Sequence, residues 1–481
     1  MTESLHVYLA NLTHIREGRP SSETIPLNVG YLAAALMKDL GEAIEVRIFN
    51  EPRKLERAMA EQVPDVLGTS NYVWSSHLNY AYLEHYKSIF PSMAAIMGGP
   101  HYPGRPELQE RFLRDHDSVD FYVVSDGEAT ISNLMRELLR CGGDLTRLKE
   151  SEIPGCHHLR DGALIDGGRG ERTFELDELP SPYSNGLFDS MLASGYVPMI
   201  QTNRGCPFSC TFCHSASIYY NKLNCFSLER VLEELDYIST RSRAHSLQIC
   251  DDNFGIFDRD KTIASKIREC RDVRGWPIKV NLSTSKVRKD KVFDAISPLG
   301  DSILFSASIQ SANPRTLHEV SRKNLSFSEF QNIIADFDDA GVPSLCELIV
   351  PMPEETKQSM LRAIGDAIDN GMDDIGIYTC MLLPNTRLSE DPYYDQHEMQ
   401  RAVRVLPRDF GVYLGRKVIE TEEVCVATRS MPLEDYLYVR SFSFVVSSLY
   451  SLAPFKELMA FLRNSGVRVF DVLCKVHEYL M

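Results

Sequence analysis

Several features that often decide the class of a protein are missing from this 481-residue sequence. No apolar run reaches about 18 residues, so we expect no transmembrane helix and no membrane partner. The first residues lack the basic and apolar regions of a secretory signal. No basic tract stands out, and 51 Lys and Arg against 67 Asp and Glu give a formal net charge of −16. Because an acidic surface repels phosphates, this composition argues against nucleic acid as a partner.

The cysteines also lack the paired spacings of a disulfide framework. Nine of the 12 cysteines stand singly along the chain, and the other three fall within residues 206–213. Free cysteines in this number are typical of a reducing compartment. We therefore expect a cytoplasmic protein with one thiolate site, and its length is enough for two or three domains.

Residues 1–145 alternate between short apolar runs and amphipathic segments. Such a strand-then-helix repetition predicts an α/β domain built on a doubly wound, Rossmann-like parallel sheet. The predicted strands are at 6–12, 44–49, 66–70, 93–97 and 121–124. Residues 146–190 are rich in glycine and proline, which predicts an ordered linker with a small hairpin around Asp161 and Gly162.

A second alternation covers residues 191–395. Its six candidate strands with helices between them predict a partial (βα)6 TIM-type barrel. The candidate strands are 197–202, 247–250, 278–282, 303–309, 345–350 and 375–380, and one of the helices is 327–340. Residues 396–481 lose this rhythm and are predicted to form a helical C-terminal cap.

The strongest chemical signal is the spacing Cys-x3-Cys-x2-Cys, formed by Cys206, Cys210 and Cys213. Packing alone does not explain three thiolates this close together, and a soft sulfur donor set selects zinc or an iron–sulfur cluster. Structural zinc normally uses four protein ligands, and His214 is the only adjacent fourth candidate. Three ligands on a four-iron cube would leave one iron open. Zinc through His214 and three unrelated buried cysteines are the alternatives.

With an aromatic residue at Phe212 and a position just after the first strand of the second series, this segment resembles the radical S-adenosylmethionine (SAM) superfamily. The resemblance implies that Cys206, Cys210 and Cys213 hold a [4Fe-4S] cluster whose fourth iron is chelated by SAM. One electron, from a donor such as flavodoxin or ferredoxin, would then cleave a C–S bond of SAM, usually giving a 5′-deoxyadenosyl radical. The cofactors carry this chemistry, and the protein orients them and excludes water and oxygen.

The same resemblance assigns SAM contacts after the second strand. Asp251 and Asp252 stand where a carboxylate of the superfamily accepts hydrogen bonds from the amino group of SAM. In the superfamily this place is often Gly-Gly-Glu, so an aspartate here is a substitution. The alternative is a helix N-cap formed by Asp252 or Asn253.

Further SAM contacts are implied after the fourth strand and in the region that follows it. Ser308 and Gln310 at the end of that strand, and Arg322 after the next helix, resemble positions that contact the ribose and carboxylate of SAM. A plain surface charge is the alternative for Arg322. The turn after the fifth strand has Pro351 and Glu354 where the superfamily usually has glycines, so a close backbone approach to adenine is less well supported.

Residues 1–145 are similar to the cobalamin-binding domain fused ahead of many radical SAM enzymes. Loops at the carboxyl ends of parallel strands form a crevice in which a flat cofactor would lie. The resemblance assigns cobalamin to residues of these loops: Thr69, Ser70, Gly98, Gly99, Pro100, Gly127 and Glu128. A domain that keeps the fold without the cofactor is the alternative. Tyr72 and Trp74 either flank the corrin or belong to the core.

The Asp-x-His-x-x-Gly signature that supplies an axial histidine in other cobalamin proteins is absent. His14 and His101 are the only histidines expected near these loops, and position 12 before His14 is leucine rather than aspartate. Relatives of the fused type also lack the signature. By resemblance, the lower face of the cobalt would be open or water-bound.

Together these features make a cobalamin-dependent radical SAM methyltransferase our leading hypothesis. It would methylate an unactivated carbon, or a heteroatom, of a small molecule in natural product biosynthesis, with the C-terminal cap closing over the substrate. Ring contraction, cyclisation or transfer of a 3-amino-3-carboxypropyl group are the alternative reactions. A non-catalytic zinc or iron–sulfur scaffold is the third hypothesis. The acidic chain favours a small molecule over RNA.

Overall fold

The computed structural model describes residues 4–170, 172–173, 175–286, 289–324 and 342–481. The helix predicted at 327–340 lies outside these residues. Packing divides the chain into two units. The first unit comprises Met1–Asn203, Asn224–Ala244 and Arg404–Glu422, and the second comprises Arg204–Leu223, His245–Val403 and Glu423–Met481. The four functional segments drawn from the sequence, 1–145, 146–190, 191–395 and 396–481, stay a prediction.

A seven-stranded sheet forms the centre of the first unit. Its strands are β1 (Leu5–Ala10), β2 (Ile44–Phe49), β3 (Val66–Ser70), β4 (Ala94–Gly98), β5 (Phe121–Val123), β6 (Cys156–Arg160) and β7 (Ala163–Asp166). The spatial order is β2-β1-β3-β4-β5-β6-β7, with the first five strands parallel and the last two antiparallel. This order places the topological switch point between β1 and β3. The expected hairpin at Asp161 and Gly162 is confirmed as the β6–β7 turn.

Helices cover both faces of this sheet, so the prediction of a doubly wound α/β unit is confirmed. The helices of the first unit are α1 (Leu27–Leu40), α2 (Pro52–Glu61), α3 (Ser76–Ile89), α4 (Pro106–Asp115), α5 (Glu128–Arg140), α6 (Leu145–Leu148), α7 (Asp189–Ala193) and α8 (Leu228–Ser239). Val7 and Leu9 of β1 pack in one core with α1 and α5, while Tyr8 and Ala10 pack in another with α2 and α3. A strand buried on both faces in this way reads as a continuous apolar run.

The second unit contains five of the predicted parallel strands. They are β8 (Ser246–Ile249), β9 (Lys279–Asn281), β10 (Phe305–Gln310), β11 (Ser344–Val350) and β12 (Asp374–Thr379). β8 pairs with β9, a bridge joins Val280 to Ile303, and β10, β11 and β12 form one sheet. The helices are α9 (Asp260–Arg274), α10 (Lys289–Ile296), α11 (Pro314–Glu319), α12 (Lys357–Asp369) and α13 (Asp391–Gln396). A six-stranded barrel stays a prediction. The first candidate strand, 197–202, is reduced to Met199–Ile200.

The expectation of a helical region from residue 396 onward is wrong for its first part. A long β-hairpin comes first, β13 (Gln400–Tyr413) and β14 (Arg416–Ala427), and three helices follow, α14 (Leu433–Val446), α15 (Lys456–Asn464) and α16 (Val469–Leu480). Leu414 and Gly415 connect the two strands with φ of 50° and 75°. Two positive φ values are what a type I′ hairpin turn needs, and a leucine at the first position hides that signal in the sequence.

No single described helix is long and apolar enough to cross a membrane. One pair of helices, Leu433–Ser451 with Lys456–Asn464, meets the length and composition test only when taken together, and it is bent by 93°.

Candidate active site

The loop that carries the three motif cysteines belongs to the second unit. Cys206 and Cys210 are buried and Cys213 is half-buried. The backbone N–H of Cys206 donates to the carbonyl of Tyr220 at 2.8 Å. Gly205 has a φ of +106°, and a Cβ there would lie 2.2 Å from the carbonyl oxygen of Lys222. A glycine is therefore required for the loop to fold back on Tyr220 and Lys222.

Two side chains from other parts of the second unit donate hydrogen bonds to the motif sulfurs. The Nδ2 of Asn253 lies 3.2 Å from the Sγ of Cys206. The Nη1 of Arg322 lies 3.9 Å from the Sγ of Cys210. Hydrogen bonds of this kind stabilise a thiolate and tune a cluster that it binds.

Arg322 is buried and hydrogen-bonded, so the alternative that it is a plain surface charge is wrong. Its guanidinium also donates to the carbonyl of Ser308 and, at 2.8 Å, to the Oδ1 of Asn324. Burial lowers the pKa of Arg322, and the neighbouring Cys210 opposes that shift. The arginine thus links one motif cysteine to the carboxyl end of β10.

The three motif cysteines do not have the side-chain geometry of a metal site. Across the described parts of the chain, no three His, Cys, Asp or Glu side chains have the geometry of a metal site. Burial raises the pKa of the Cys213 thiol, whereas the nearby Lys286 favours the thiolate. The side chain of His214 bonds the carbonyl of Pro384, and burial lowers its pKa.

The loop after β8 brings an aspartate beside the cysteines. Asp252 makes a hydrogen bond with Ser215, and burial raises the pKa of Asp252 against the opposing effects of Ser215 and Lys286. Asp251 is buried. Helix α9 begins only at Asp260, so neither Asp252 nor Asn253 caps it, and that alternative is wrong.

Ser308 and Gln310 lie at the end of β10. Ser308 has an acidic partner, Glu347, that was not predicted from the sequence. Glu347 of β11 accepts hydrogen bonds from Ser306 at 2.5 Å and from Ser308 at 2.7 Å, both on its Oε2. Gln310 has a φ of 67° where β10 ends. A single glutamate inside the apolar run 345–350 was the available signal.

Phe212 packs into a core cluster of the second unit rather than standing free. That cluster includes Val320, Met352 and Leu388. The neighbouring Thr211 donates its N–H to the carbonyl of Val320 at 3.1 Å and accepts from the N–H of Leu388 at 2.9 Å. These contacts hold the end of the cysteine loop.

In the first unit, the residues predicted to hold cobalamin all lie at the carboxyl edge of the parallel sheet. They end β3, end β4 or begin α5: Thr69, Ser70, Gly98, Gly99, Pro100, Gly127 and Glu128. Ser70 accepts a hydrogen bond from Asn28 at 3.0 Å. A Cβ on Gly99, whose φ is +138°, would lie 2.5 Å from the carbonyl oxygen of Asn71. The close approach of the Asn71 backbone is therefore sufficient to require a glycine at position 99, without any cofactor contact.

Aromatic and histidine residues stand at the same edge. Tyr72 and Trp74 stack at 4.8 Å with an interplanar angle of 15°, and Trp74 is 47% exposed, so Trp74 is not a core residue. His77 lies in the first turn of α3, near the buried His14. The expectation that only His14 and His101 lie near these loops is thus wrong, because the length of the β3–α3 loop was not predicted.

Part of the chain matches a known protein family. Residues 200–367 match the Radical SAM superfamily. The cysteine loop, Asn253 and Arg322 all lie in this radical SAM region. The same region contains β8 to β11, which support the loop.

Curated relatives extend the similarity to the first unit. A cobalamin-dependent radical SAM methyltransferase, TokK from Streptomyces tokunonensis, is 30% identical over 90% of this chain and 65% of the relative. A 2-(S-pantetheinyl)-carbapenam-3-carboxylate methyltransferase from Streptantibioticus cattleyicolor is 30% identical over 71% of this chain and 51% of the relative. The chain therefore spans only 65% and 51% of the length of these two relatives.

A solved structure shares the whole fold. It is that of OxsB, a cobalamin-dependent S-adenosylmethionine radical enzyme with aqua-cobalamin bound, and it has a TM-score of 0.66 at 15% identity. The match covers 100% of this chain and 73% of that chain. At this identity the likeness concerns the fold.

Proposed function

We propose that this radical SAM chain is a cobalamin-dependent methyltransferase acting on a small molecule. The observation that carries the proposal is the Cys206–Cys213 loop, whose sulfurs accept hydrogen bonds from Asn253 and Arg322. The two 30% identical relatives are both methyltransferases, which supports the same reaction here. A carbon or a heteroatom of the substrate would receive the methyl group.

Cys206, Cys210 and Cys213 would hold a [4Fe-4S] cluster. The donor set fits, because three soft thiolates in one loop suit iron–sulfur ligation and leave one iron for SAM. When bound, the cluster and SAM supply a carbon-centred radical. Burial of Cys206 and Cys210 keeps water away from two of the ligands. Asn253 and Arg322 would stabilise negative charge on the sulfurs through their hydrogen bonds. An external electron donor such as flavodoxin or ferredoxin would reduce the cluster.

Residues around the loop would orient SAM. Asp251 or Asp252 would accept from its amino group, and Arg322 would face its carboxylate. Ser308 and Gln310 would lie at its ribose, and Phe212 would hold the loop beneath it. The hydrogen bond from Ser308 to Glu347 supports a polar lining at this position.

The carboxyl edge of the first sheet would hold cobalamin, which supplies a transferable methyl group when bound. Two buried hydroxyls support this: Thr69 Oγ1 and Ser75 Oγ find no hydrogen-bond partner among the described residues. Buried polar groups normally have partners, so these two suit the amides and phosphate of a corrinoid. The exposed, stacked Tyr72 and Trp74 would offer an aromatic surface to the ring. The remaining contacts would come from Ser70, Gly98, Gly99, Pro100, Gly127 and Glu128.

The substrate would be a small molecule, and the helices of the 396–481 region, α14 to α16, would close over it. Nucleic acid and a membrane are not proposed as partners. The twelve cysteines are all free, which supports a reducing, cytoplasmic location.

Anaerobic reconstitution with iron and sulfide tests the proposal. The protein should gain a broad visible absorbance, retain hydroxocobalamin through gel filtration, and transfer labelled methyl from SAM to a product. Cys210→Ala should lose iron and activity, and Cys225→Ala, outside the motif, should lose neither. Zinc alone at the thiols would refute the radical reaction. Transfer of a 3-amino-3-carboxypropyl group, ring contraction or cyclisation without methyl transfer would replace the proposed reaction by one of the alternatives.

A further inference from the structure

The tip of the C-terminal hairpin, Arg404–Glu422, belongs to the first unit. Tyr413 and Val418 join the core cluster formed by β1, α2 and α3. The hydroxyl of Tyr413 accepts the backbone N–H of Ile15 at 2.8 Å. A segment near the end of the chain therefore completes a unit that otherwise consists mostly of residues before 204.

At this tip, Glu420 is a fully buried carboxylate with four hydrogen bonds. Its Oε1 accepts from the Nε2 of His14 at 3.0 Å and from the backbone N–H of Leu78 at 2.8 Å. Its Oε2 accepts from the backbone N–H of His77 at 2.9 Å and lies 3.1 Å from the Nδ1 of the same residue. Four donors on one carboxylate compensate for the loss of its hydration.

Two of these bonds do the work of a helix cap. A helix N-cap side chain normally accepts from the N–H groups of the second and third helical residues, which in α3 are His77 and Leu78. Ser75, at the N-cap position of α3, makes no such bond. Glu420 takes its place from more than 300 residues further along the chain, and a negative charge suits that end of a helix.

The elements tied by Glu420 are the two that flank the switch point of the sheet. His14 follows β1, and His77 begins the helix after β3. The β3–α3 connection also carries Tyr72, Trp74 and Ser75, which line the carboxyl edge of the sheet. A ligand of a sheet with this strand order lies at that point.

From this geometry we propose that Glu420 is a positioning residue for the corrinoid site, which fixes the Tyr72–His77 segment from the hairpin. The proposal rests on the proposed binding of cobalamin. It assigns residues 404–422 to the cofactor-binding unit rather than to a substrate cap. Glu420 itself touches no cofactor; it acts through the start of α3 and through His14.

The chain offers two matched controls. Glu422 is a second buried carboxylate on β14, but its partner is Arg404 of the same hairpin, at 2.5 Å. Glu84 of α3 pairs with Arg416 at the exposed surface of the hairpin. Glu422→Gln tests the loss of a buried charge from the hairpin, and Glu84→Gln tests a looser attachment to α3. Neither residue contacts the Tyr72–His77 segment through a bond seen among the described residues.

The test uses the full chain with hydroxocobalamin as the probe. A Trp276→Phe background leaves Trp74 as the only tryptophan, so its emission reports on the segment before any cofactor is added. Glu420→Gln should change that emission and weaken hydroxocobalamin binding about tenfold or more, because it removes charge-assisted bonds from buried donors. Glu422→Gln and Glu84→Gln should leave both readouts within about twofold of the parent. His77→Asn, which keeps a donor near the Nδ1 position, should bind more tightly than His77→Leu.

Three results would overturn the proposal. These are an unchanged affinity in folded Glu420→Gln, an equal loss in Glu420→Gln and Glu422→Gln, or equal affinities for His77→Asn and His77→Leu. Should Glu420→Gln not fold, the two His77 variants decide alone. Failure of the parent protein to bind hydroxocobalamin sinks the proposed cofactor itself. Binding by the parent with no response to Glu420→Gln sinks only the positioning role.

Discussion

The side-chain amide of Asn253 donates a hydrogen bond to the Sγ of Cys206 across 3.2 Å. The two residues come from different loops of the radical SAM region, and Asn253 is fully buried. An amide aimed at a ligand sulfur lowers the energy of extra negative charge on the metal centre. The pair therefore couples the loop after β8 to the electronics of the proposed cluster.

Replacing that amide should make the cluster harder to reduce. Asn253→Ala removes an N–H···S bond, and the midpoint potential should move to a more negative value. Redox titration followed by electron paramagnetic resonance measures it. Asn281→Ala, at the exposed end of β9, should not shift the potential. An unchanged potential in Asn253→Ala at full iron content contradicts the assigned role.

The guanidinium of Arg322 should not be replaceable by an ammonium group. Its fork reaches Cys210, Ser308 and Asn324 at once, and lysine offers a single point of charge. Arg322→Lys should therefore lower the rate of reductive SAM cleavage about tenfold or more, nearly as much as Arg322→Ala. Arg315→Lys on α11 is the matched control. Full activity in Arg322→Lys would mean that charge alone matters.

Two glycines with positive φ should differ sharply in their tolerance of alanine. Gly143 has a φ of +80° and open space within 4 Å of the position that a Cβ would take, whereas a Cβ on Gly99 would collide with Asn71. Gly143→Ala should cost about 1 kcal/mol of unfolding free energy, from backbone strain alone. Gly99→Ala should cost about 2 kcal/mol more and shift the β3–α3 loop. Chemical denaturation compares them, and equal costs would show that the Gly99 contact relaxes freely.

Stability of the first unit should depend on pH through Glu420 and His77. The pKa of Glu420 falls from 4.5 to about 2: burial opposes the shift, and bonds from His14 and His77 outweigh it. Its contribution is present above pH 4.5 and is lost as the pH falls toward 2. Bonding to Glu420 raises the pKa of His77 above 6.5, so that contribution is present below 6.5 and is lost as the pH rises through the raised value.

Both contributions are therefore complete between about pH 4.5 and 6.5. Hydrogen exchange at residues 71–78 should be slowest in that window in the parent protein and should lose most of its pH dependence in Glu420→Gln. The other titratable groups that face Glu420 are His14, Tyr413 and, less directly, His101, whose pKa burial lowers to about 4. Equal pH profiles for parent and variant would assign the dependence to those groups instead.

Most of the first unit followed from local patterns in the sequence. Strands buried on both faces are continuous apolar runs, so all five parallel strands were placed to within a few residues. The cysteine spacing likewise located the loop at 206–213 without any knowledge of its surroundings. Local signals of this kind survive folding because they depend on a few neighbouring residues.

Contacts between distant segments had no such signal. Asn253, Glu347 and Glu420 each act on a partner at least 39 residues away, and one carboxylate in an apolar strand does not name its partner. The hairpin at 400–427 was missed for another reason, because Leu414 takes a backbone conformation in which glycine or asparagine is usual. The contacts of Asn253, Glu347 and Glu420 were thus concealed in the sequence alone, whereas Arg322 was already a candidate.

The membership of Arg404–Glu422 in the first unit also bears on how the chain matures. Ribosomal synthesis delivers β1 to β5 early, yet the residues that cover Leu78 and cap α3 emerge only after residues 245–403 of the second unit. Until residue 422 has left the ribosome, the apolar face around Leu78 is uncovered and the N-terminus of α3 has no carboxylate cap. The proposed corrinoid would therefore bind only after residue 422 has been synthesised. A nascent chain halted before that point would expose the apolar face around Leu78.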